Sequence, residues 1–499
     1  MSRTSQKAVT ESKWVRRAAL LFVLVRSIYR TLGNVVLRNS SQHSLRSKLF
    51  PSGKEMEISN LDRRIIRKPL ADQLTISASL TDAEGAESRA LLQTSPAIPF
   101  DRLTAEELQW VETIREHTET ANRNNLTRTQ AYLDIYLKHP ELHWAFLAHM
   151  VSRNGGWNMT DLRGDLLSRL LDKEQIEALF ALLEKANALI FQDAYPQLLL
   201  YAESKRQGKP LFALLPHFGV SRFMLPLWEQ FWKEGHEPLL AIGLIINEQQ
   251  YIQRRVVENK ELQSKAYPHS WERIMQAALQ LNQIVFPWLP ESAKETLRPL
   301  SAANHPAPTT QLFGRVLENF SDLQERIEFG KQLYALLFAD PARHRGFLRF
   351  AQAVPHSGSR ADYWPHVFTA APAHAADAQA RGAVRPAEPQ HAGAQAGAHA
   401  AEPTRAAQAG AQQRSSLAAG DGRDAAHAAA QRHASPALGD AWPDRTLGEV
   451  ERYDWFGDLS AIAYLTTAKL AEPVDITREH SACWRKLELA AAARELAAE

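Results

Sequence analysis

Between Asn122 and Gly164 the chain concentrates side chains that recognise polar groups. Asn124, Asn125, Arg128, Tyr132, Arg153, Asn154, Trp157 and Asn158 set hydrogen-bond donors and acceptors beside flat aromatic surfaces. That combination suits a cleft for a peptide, a glycan or an anion, where a few placed hydrogen bonds fix orientation. The same residues suit a buried network in which Asn and Arg satisfy backbone groups. Burial and partners decide between the two. The expected ligand contacts are Asn125, Arg128, Tyr132, His143, Arg153, Asn154 and Trp157, with Arg360 from a second polar stretch.

His139 and His143 have the i, i+4 spacing that puts two imidazoles on one helical face for a metal, and His149 comes six residues later. The residue before a proline is pushed out of the α region, so Pro140 takes His139 off the helix. No carboxylate stands where a zinc hydrolase keeps its base, and no metal is expected. The second polar stretch, PHSGSRADYWPH from Pro355 to His366, holds His356, Ser357, Ser359, Asp362 and His366. These are the residue types of nucleophilic hydrolysis, but a triad is defined by spatial roles, and no GxSxG elbow is present. Arg360 can serve as an anion contact or as a salt-bridge partner. The sequence contains no Walker loop, GxGxxG, CxxC or HExxH, so no cofactor is expected. Pro216-His217-Phe218-Gly219 reads as a break between helices. The single cysteine, Cys483, excludes an intrachain disulfide.

The elements that must position these groups read as helices. Thr104 with Glu107 has capping-box spacing, and Leu108, Val111 and Ile114 recur at helical intervals. Leu126 to Tyr136 keeps one side apolar up to His139-Pro140. The next helix buries Leu142, Ala145, Phe146 and Met150, Gly155-Gly156 are expected to stop it, and Thr160 or Asp161 to cap the segment after it. Asp172 and Gln175 begin a strong amphipathic helix that Pro196 is expected to close. Leu239 to Ile246, an apolar run between helices, reads as buried helix. Asn247 to Asn259, Ser270 to Phe286, Gln311 to Phe320 and Asp322 to Phe338 fit helices as well. Few segments alternate with period two, so the fold class is mostly α, a multi-helix globular bundle.

The ends of this bundle differ in composition. Residues 1–68 carry 15 Lys or Arg against 4 acidic residues. Such an arm attracts anionic lipid headgroups or nucleic acid non-specifically, or is a solvated, disordered tail. Its apolar run from Ala18 to Val25 is too short to span a membrane, and a basic amphipathic segment lying on a membrane surface fits it better. Translation starting at Met56 is an alternative. From Ala371 to about Ala434 the text turns to Ala, Gly, His, Gln, Arg and Pro, too little apolar surface to offset ordering entropy, so disorder is expected. A compensated frameshift through GC-rich codons would produce the same composition. The expected division is residues 1–100 as arm and linker with at most a short or amphipathic helix, 101–369 as helical domain, 370–437 as low-complexity tract, and 438–499 packing back on the helical domain.

The phrases NNLTRTQAYLDIYLKHPELHWAFLAHMVSRNGGWNMTDL, LLAIGLIINEQQYIQRRVV, HSGSRADYWPHVF and AWPD with DWFGDL together resemble the uncharacterised YppC-like family of Gram-positive spore formers, over about Asp101 to Phe368 and Asp440 to the end. The resemblance implies no activity, cofactor or catalytic residue. The function expected from the residues is a ligand- or partner-binding protein with a polar and aromatic cleft. It is placed in the cytoplasm or peripherally at the inner face of the membrane, its partner an unknown polar ligand or protein, with no specific nucleic-acid signal. The alternative is an enzyme of unrecognised type, a hydrolase using His143 or His149 with a carboxylate such as Asp161 or Asp362.

Overall fold

A computed structural model of the chain describes residues 56–81, 102–260, 282–291, 310–370, 432–451, 453–472 and 474–498. The arm before residue 56, the linker 82–101, residues 261–281 and 292–309 and the Ala-rich residues 371–431 lie outside these, and so do the expectations made for them, including most of the helix expected from Ser270.

The described residues are mostly helical. In chain order come α1 (Asn60–Thr81), α2 (Ala105–Ala121), α3 (Asn125–Lys138), α4 (His143–Asp161), the single turn α5 (Leu167–Leu170), α6 (Lys173–Gln207), α7 (Met224–Glu234) and α8 (Glu237–Ile252). A two-stranded sheet of β1 (Gln283–Trp288) and β2 (Gln311–Val316) comes next, then α9 (Leu323–Phe338) and α10 (Pro341–Ala353). The two-residue strands β3 (Phe368–Thr369) and β4 (His433–Ala434), the turn α11 (Leu438–Ala441) and α12 (Thr477–Ala498) complete the described α-helices and strands, with 3-10 turns at Phe212–Phe218, Arg360–Asp362 and Leu459–Tyr464 and a π turn at Gln253–Val257. Reciprocal caps set three helix starts: Thr104 with Glu107, Asn124 with Thr127, and Asp172 with Gln175. Leu239 to Ile246 is a buried part of α8. One large core joins α3, α4, α7, α8 and α9 through residues such as Tyr132, Phe146, Trp228, Ile245 and Leu336, and a second gathers around Trp157, Phe180, Trp364 and Trp484.

The structure departs from the sequence reading at five places. The linker text holds a 22-residue helix, α1, started by Ser59 and Asp62 bonding each other and anchored by buried Ile66 and Leu70. Helix α4 runs straight through Gly155-Gly156 to Asp161, which makes Thr160 and Asp161 helical rather than caps. The glycine there serves close approach, since a Cβ on Gly156 would collide with the side chains of Asn125 and His356. Pro196 lies inside α6. It deprives the Gln192 carbonyl of its usual donor, and buried Ala194, Leu198 and Leu200 carry the helix past it.

The described ends of the helices expected over Ser270 to Phe286 and Gln311 to Phe320 are strands instead: Gln283–Trp288 and Gln311–Val316 pair antiparallel with Phe286 opposite Phe313. Their β-branched and aromatic residues prefer the pleated surface, and β2 gains further backbone bonds from Val474 and Ile476. Finally, residues 432–437 of the low-complexity tract belong to the fold, with His433–Ala434 parallel to Phe368–Thr369.

Candidate functional site

The two polar stretches, far apart in sequence, meet on α4. Asp362 is the centre of the junction. Its carboxylate accepts the Trp157 indole N–H at 3.1 Å, the Ser357 amide at 3.1 Å and the Ser357 hydroxyl at 2.5 Å. Arg153 lies 3.9 Å away and His356 Nδ1 3.4 Å away. Burial opposes the charge on Asp362, but His356, Arg153 and Ser357 outweigh it and hold the carboxyl below its ordinary range. Ser357 thus gives its hydroxyl hydrogen to Asp362 and not to His356, so the relay that activates a serine is not formed. The His356 and Asp362 side chains are only 4% and 8% exposed.

The eight expected ligand contacts divide among several local networks. Asn125 joins the junction through His356 and also donates to the Ser152 carbonyl at 2.8 Å. Arg153 donates to the carbonyls of Val354 and Pro355, and burial lowers its pKa to about 10 against the pull of Asp362. Arg360 grips Asp161 at 2.7 to 3.2 Å and also reaches Asn158 and the Tyr363 hydroxyl. It is a salt-bridge partner. Arg128 pairs with Glu184 at 2.6 Å, and Tyr132 packs edge-on against Trp144. His143 meets the Tyr334 hydroxyl at 2.9 Å and stacks on Phe338, and burial lowers its pKa to about 4. Asn154 pairs with the backbone of β1 through Gln283 and Val285. Seven of the eight are at most 3% exposed.

The histidines disperse in the same way. His139 faces Glu141, while His149 Nδ1 lies 2.8 Å from the Thr129 carbonyl and burial lowers its pKa to about 3. Among the described residues no group of His, Cys, Asp or Glu is placed to hold a metal ion.

Open space lies elsewhere. A cavity of about 1110 Å³ is walled by α2, α6, the Pro216–Gly219 turn, the end of α8 and residues between Asp444 and Asp454. A neighbour of about 650 Å³ lies among α6, the turn after α8 and residues 445–451. None of the eight expected contacts lines either one. The two share Arg255, which is 8% exposed and donates to the carbonyls of Tyr251, Glu451 and Tyr453 at 2.9 to 3.0 Å.

Residues 443–450 form a strap between two firm anchors. At one end Trp442 stacks on Phe180 at 3.8 Å and donates to the Met159 carbonyl. At the other, Asp454 receives Ser221 and Arg222, and Trp455 donates to Asn247. The span between is held by surface pairs such as Arg123–Asp444 and Arg445–Glu177.

Next to Asn247, in the seam between α6 and α8, Asp193 accepts from Asn247 at 2.5 Å and Gln197 at 3.0 Å. Burial, against those hydrogen bonds and the charge of Arg255, raises its carboxyl to about 7, and burial raises Glu248 to about 8. Sequence reasoning misses Arg255, Tyr251, Trp442 and Asp454. The signal present is their membership in the phrases QYIQRRVV, AWPD and DWFGDL, whose charged and aromatic residues a plain buried helix or linker does not need.

Comparison with known proteins agrees with the resemblance read from those phrases. The family described as "Protein of unknown function (DUF2515)" matches residues 120–472. The uncharacterized protein YppC of Bacillus subtilis (strain 168) is 41% identical over 255 residues, which cover 50% of this chain and 71% of that protein. No solved structure matches. With the family match running from the end of α2 past the strap and its second anchor, the chain belongs to the DUF2515 family.

Proposed function

We propose that this protein is a helical binding protein whose polar ligand occupies the cavity between α2, α6, the end of α8 and the strap, rather than the junction around Asp362. The observation that carries this reading is the contrast between the two places. The junction is filled by its own side chains, whereas the cavity offers about 1110 Å³ lined by Arg, Asn, Gln, Glu and Tyr side chains. The hydrolase alternative, His143 or His149 working with Asp161 or Asp362, has less support, because His143 bonds to Tyr334 and His149 to the Thr129 carbonyl, while Asp161 is held by Arg360 and Asp362 by Trp157 and Ser357.

The test is thermal stabilisation of the full chain by a panel of polar metabolites, compared with Gln192→Trp, which fills the cavity wall. Loss of ligand-induced stabilisation in that variant is expected. Stabilisation that survives Gln192→Trp and vanishes in Ser357→Ala would move the site to the junction.

The same proposal places the protein in the cytoplasm, touching the inner face of the membrane through residues 1–68. Their 15 basic residues against 4 acidic ones support it, and no helix among the described residues is long and apolar enough to cross a membrane. Flotation with phosphatidylglycerol vesicles should carry the full chain and leave a chain starting at Met56 behind.

A further inference from the structure

We propose that the ligand of this cavity is an extended polypeptide segment that hydrogen-bonds to the backbone of the strap over residues 444–450. The inference rests on the binding reading above and adds the chemical class of the ligand.

Three observations lead to it. Among the described residues, no backbone N–H or C=O of 443–450 bonds to another backbone group. The strap therefore presents a row of unpaired donors and acceptors, which is what an added strand recognises. Cavities of about 650 and about 1110 Å³ both border Arg445, Thr446, Leu447, Glu449 and Val450. An extended chain sends successive side chains to opposite faces, so a segment paired with the strap would direct alternate residues into the two cavities.

The walls are also of mixed sign. Arg115, Arg123 and Arg254 stand among Glu119, Glu449 and Glu451. A polyanion such as nucleic acid would meet these carboxylates as well as the arginines, whereas a polypeptide can alternate charges to match both. The anchors make the arrangement usable: Trp442 on Phe180 and Arg255 on the carbonyls of 451 and 453 hold both ends, while exposed ion pairs hold the span. Such pairs are weak enough to give way to a ligand.

The experiment pans a phage-displayed library of random dodecapeptides against the full chain, resynthesises the enriched peptides and monitors amide hydrogen exchange. The expected result is enrichment, with exchange of the 445–450 amides slowed about tenfold or more on binding, the factor that one or two new hydrogen bonds supply. Thr446→Pro with Glu449→Pro removes two of those N–H groups outside any helix or strand. That variant should keep its melting temperature and bind the peptides about tenfold more weakly. Enriched peptides that leave those amides unprotected, or that bind the proline variant equally well, would overturn the proposal. So would the absence of enrichment, or protection of the same amides by oligo-dT or dextran instead of peptide. Should the polypeptide class fail while polar metabolites still stabilise the chain in a manner sensitive to Gln192→Trp, the cavity reading stands and only this inference falls.

Discussion

His356 Nε2 lies 3.0 Å from the Asn125 amide oxygen, against the face of α4 that Gly156 leaves bare. The contact joins the loop after α10 to the start of α3, and it exists because residue 156 has no side chain. Gly156→Ala should therefore destabilise the fold by about 1–3 kcal/mol, the usual cost of overpacking, seen as a lower melting temperature. Gly155→Ala, one residue earlier, would meet only the Asn187 side chain at 3.3 Å and gains helix propensity, so its effect should stay within about 1 kcal/mol. Equal losses in the two variants would mean that the penalty is general to the helix and not due to this contact.

Asn154 acts as a one-residue strand. Its amide accepts from Val285 N–H at 3.0 Å and donates to the Gln283 carbonyl at 3.2 Å, pairing β1 on the side away from β2. Asn154→Leu keeps the branched shape with somewhat bulkier ends and removes both bonds, leaving a buried N–H without a partner. A loss of about 1–3 kcal/mol is expected, together with faster hydrogen exchange at Val285. Unchanged protection of that amide would show that the pairing contributes nothing.

These relationships mark the limit of what the sequence makes legible. Capping boxes and apolar periodicity announce α2, α3, α6 and α9 because the signals are local. Gly155-Gly156 and Pro196 are local signals too, but tertiary packing overrides them: His356 needs the bare glycine, and the buried flank of α6 carries the proline. The short apolar runs of β1 and β2 are ambiguous between helix and strand until Asn154 and Val474 supply partners from distant parts of the chain. The polar cluster of 122–164 is visible by composition, yet composition does not say which way side chains face. Most of them turn inward, and the cavity is bounded instead by Arg255 and the strap, which meet only through the fold.

His433 links three segments, with Nδ1 3.2 Å from Asp165 and Nε2 2.7 Å from Glu488 on α12. The Asp165 hydrogen bond, then Glu488, raise its pKa against partial burial. A raised histidine contributes stability that is fully present below its unfolded pKa of about 6.5 and is lost as pH rises through the folded value. The difference in stability between wild type and His433→Gln should accordingly be larger at pH 6 than at pH 9. It should be no more than about 1 kcal/mol, since the site is partly exposed and screened. Urea unfolding at the two pH values measures it, and a pH-independent difference would sink the assignment.

Asp193 should show the opposite kind of linkage from a paired carboxylate. It is 2% exposed in the seam between α6 and α8, one oxygen takes both Asn247 and Gln197, and the other has no hydrogen-bond partner. Burial raises its pKa to about 7, whereas in the unfolded chain an aspartate ionises near about 3.9. Below the unfolded value the group is protonated in both states. Between about 4 and about 7 the unfolded state releases the proton first, so stability falls as pH rises, and above about 7 the loss is complete. Asp193→Asn places an amide of the same shape there, its oxygen able to accept from the same two donors, and removes the titration. The variant should make the decline in stability between pH 5 and pH 8 shallower, leaving the part due to Glu248, which burial raises to about 8. Urea midpoints across that range provide the measurement. A variant whose decline matches the wild type would show that Asp193 enters the fold already ionised, with Asn247, Gln197 and Arg255 holding its charge.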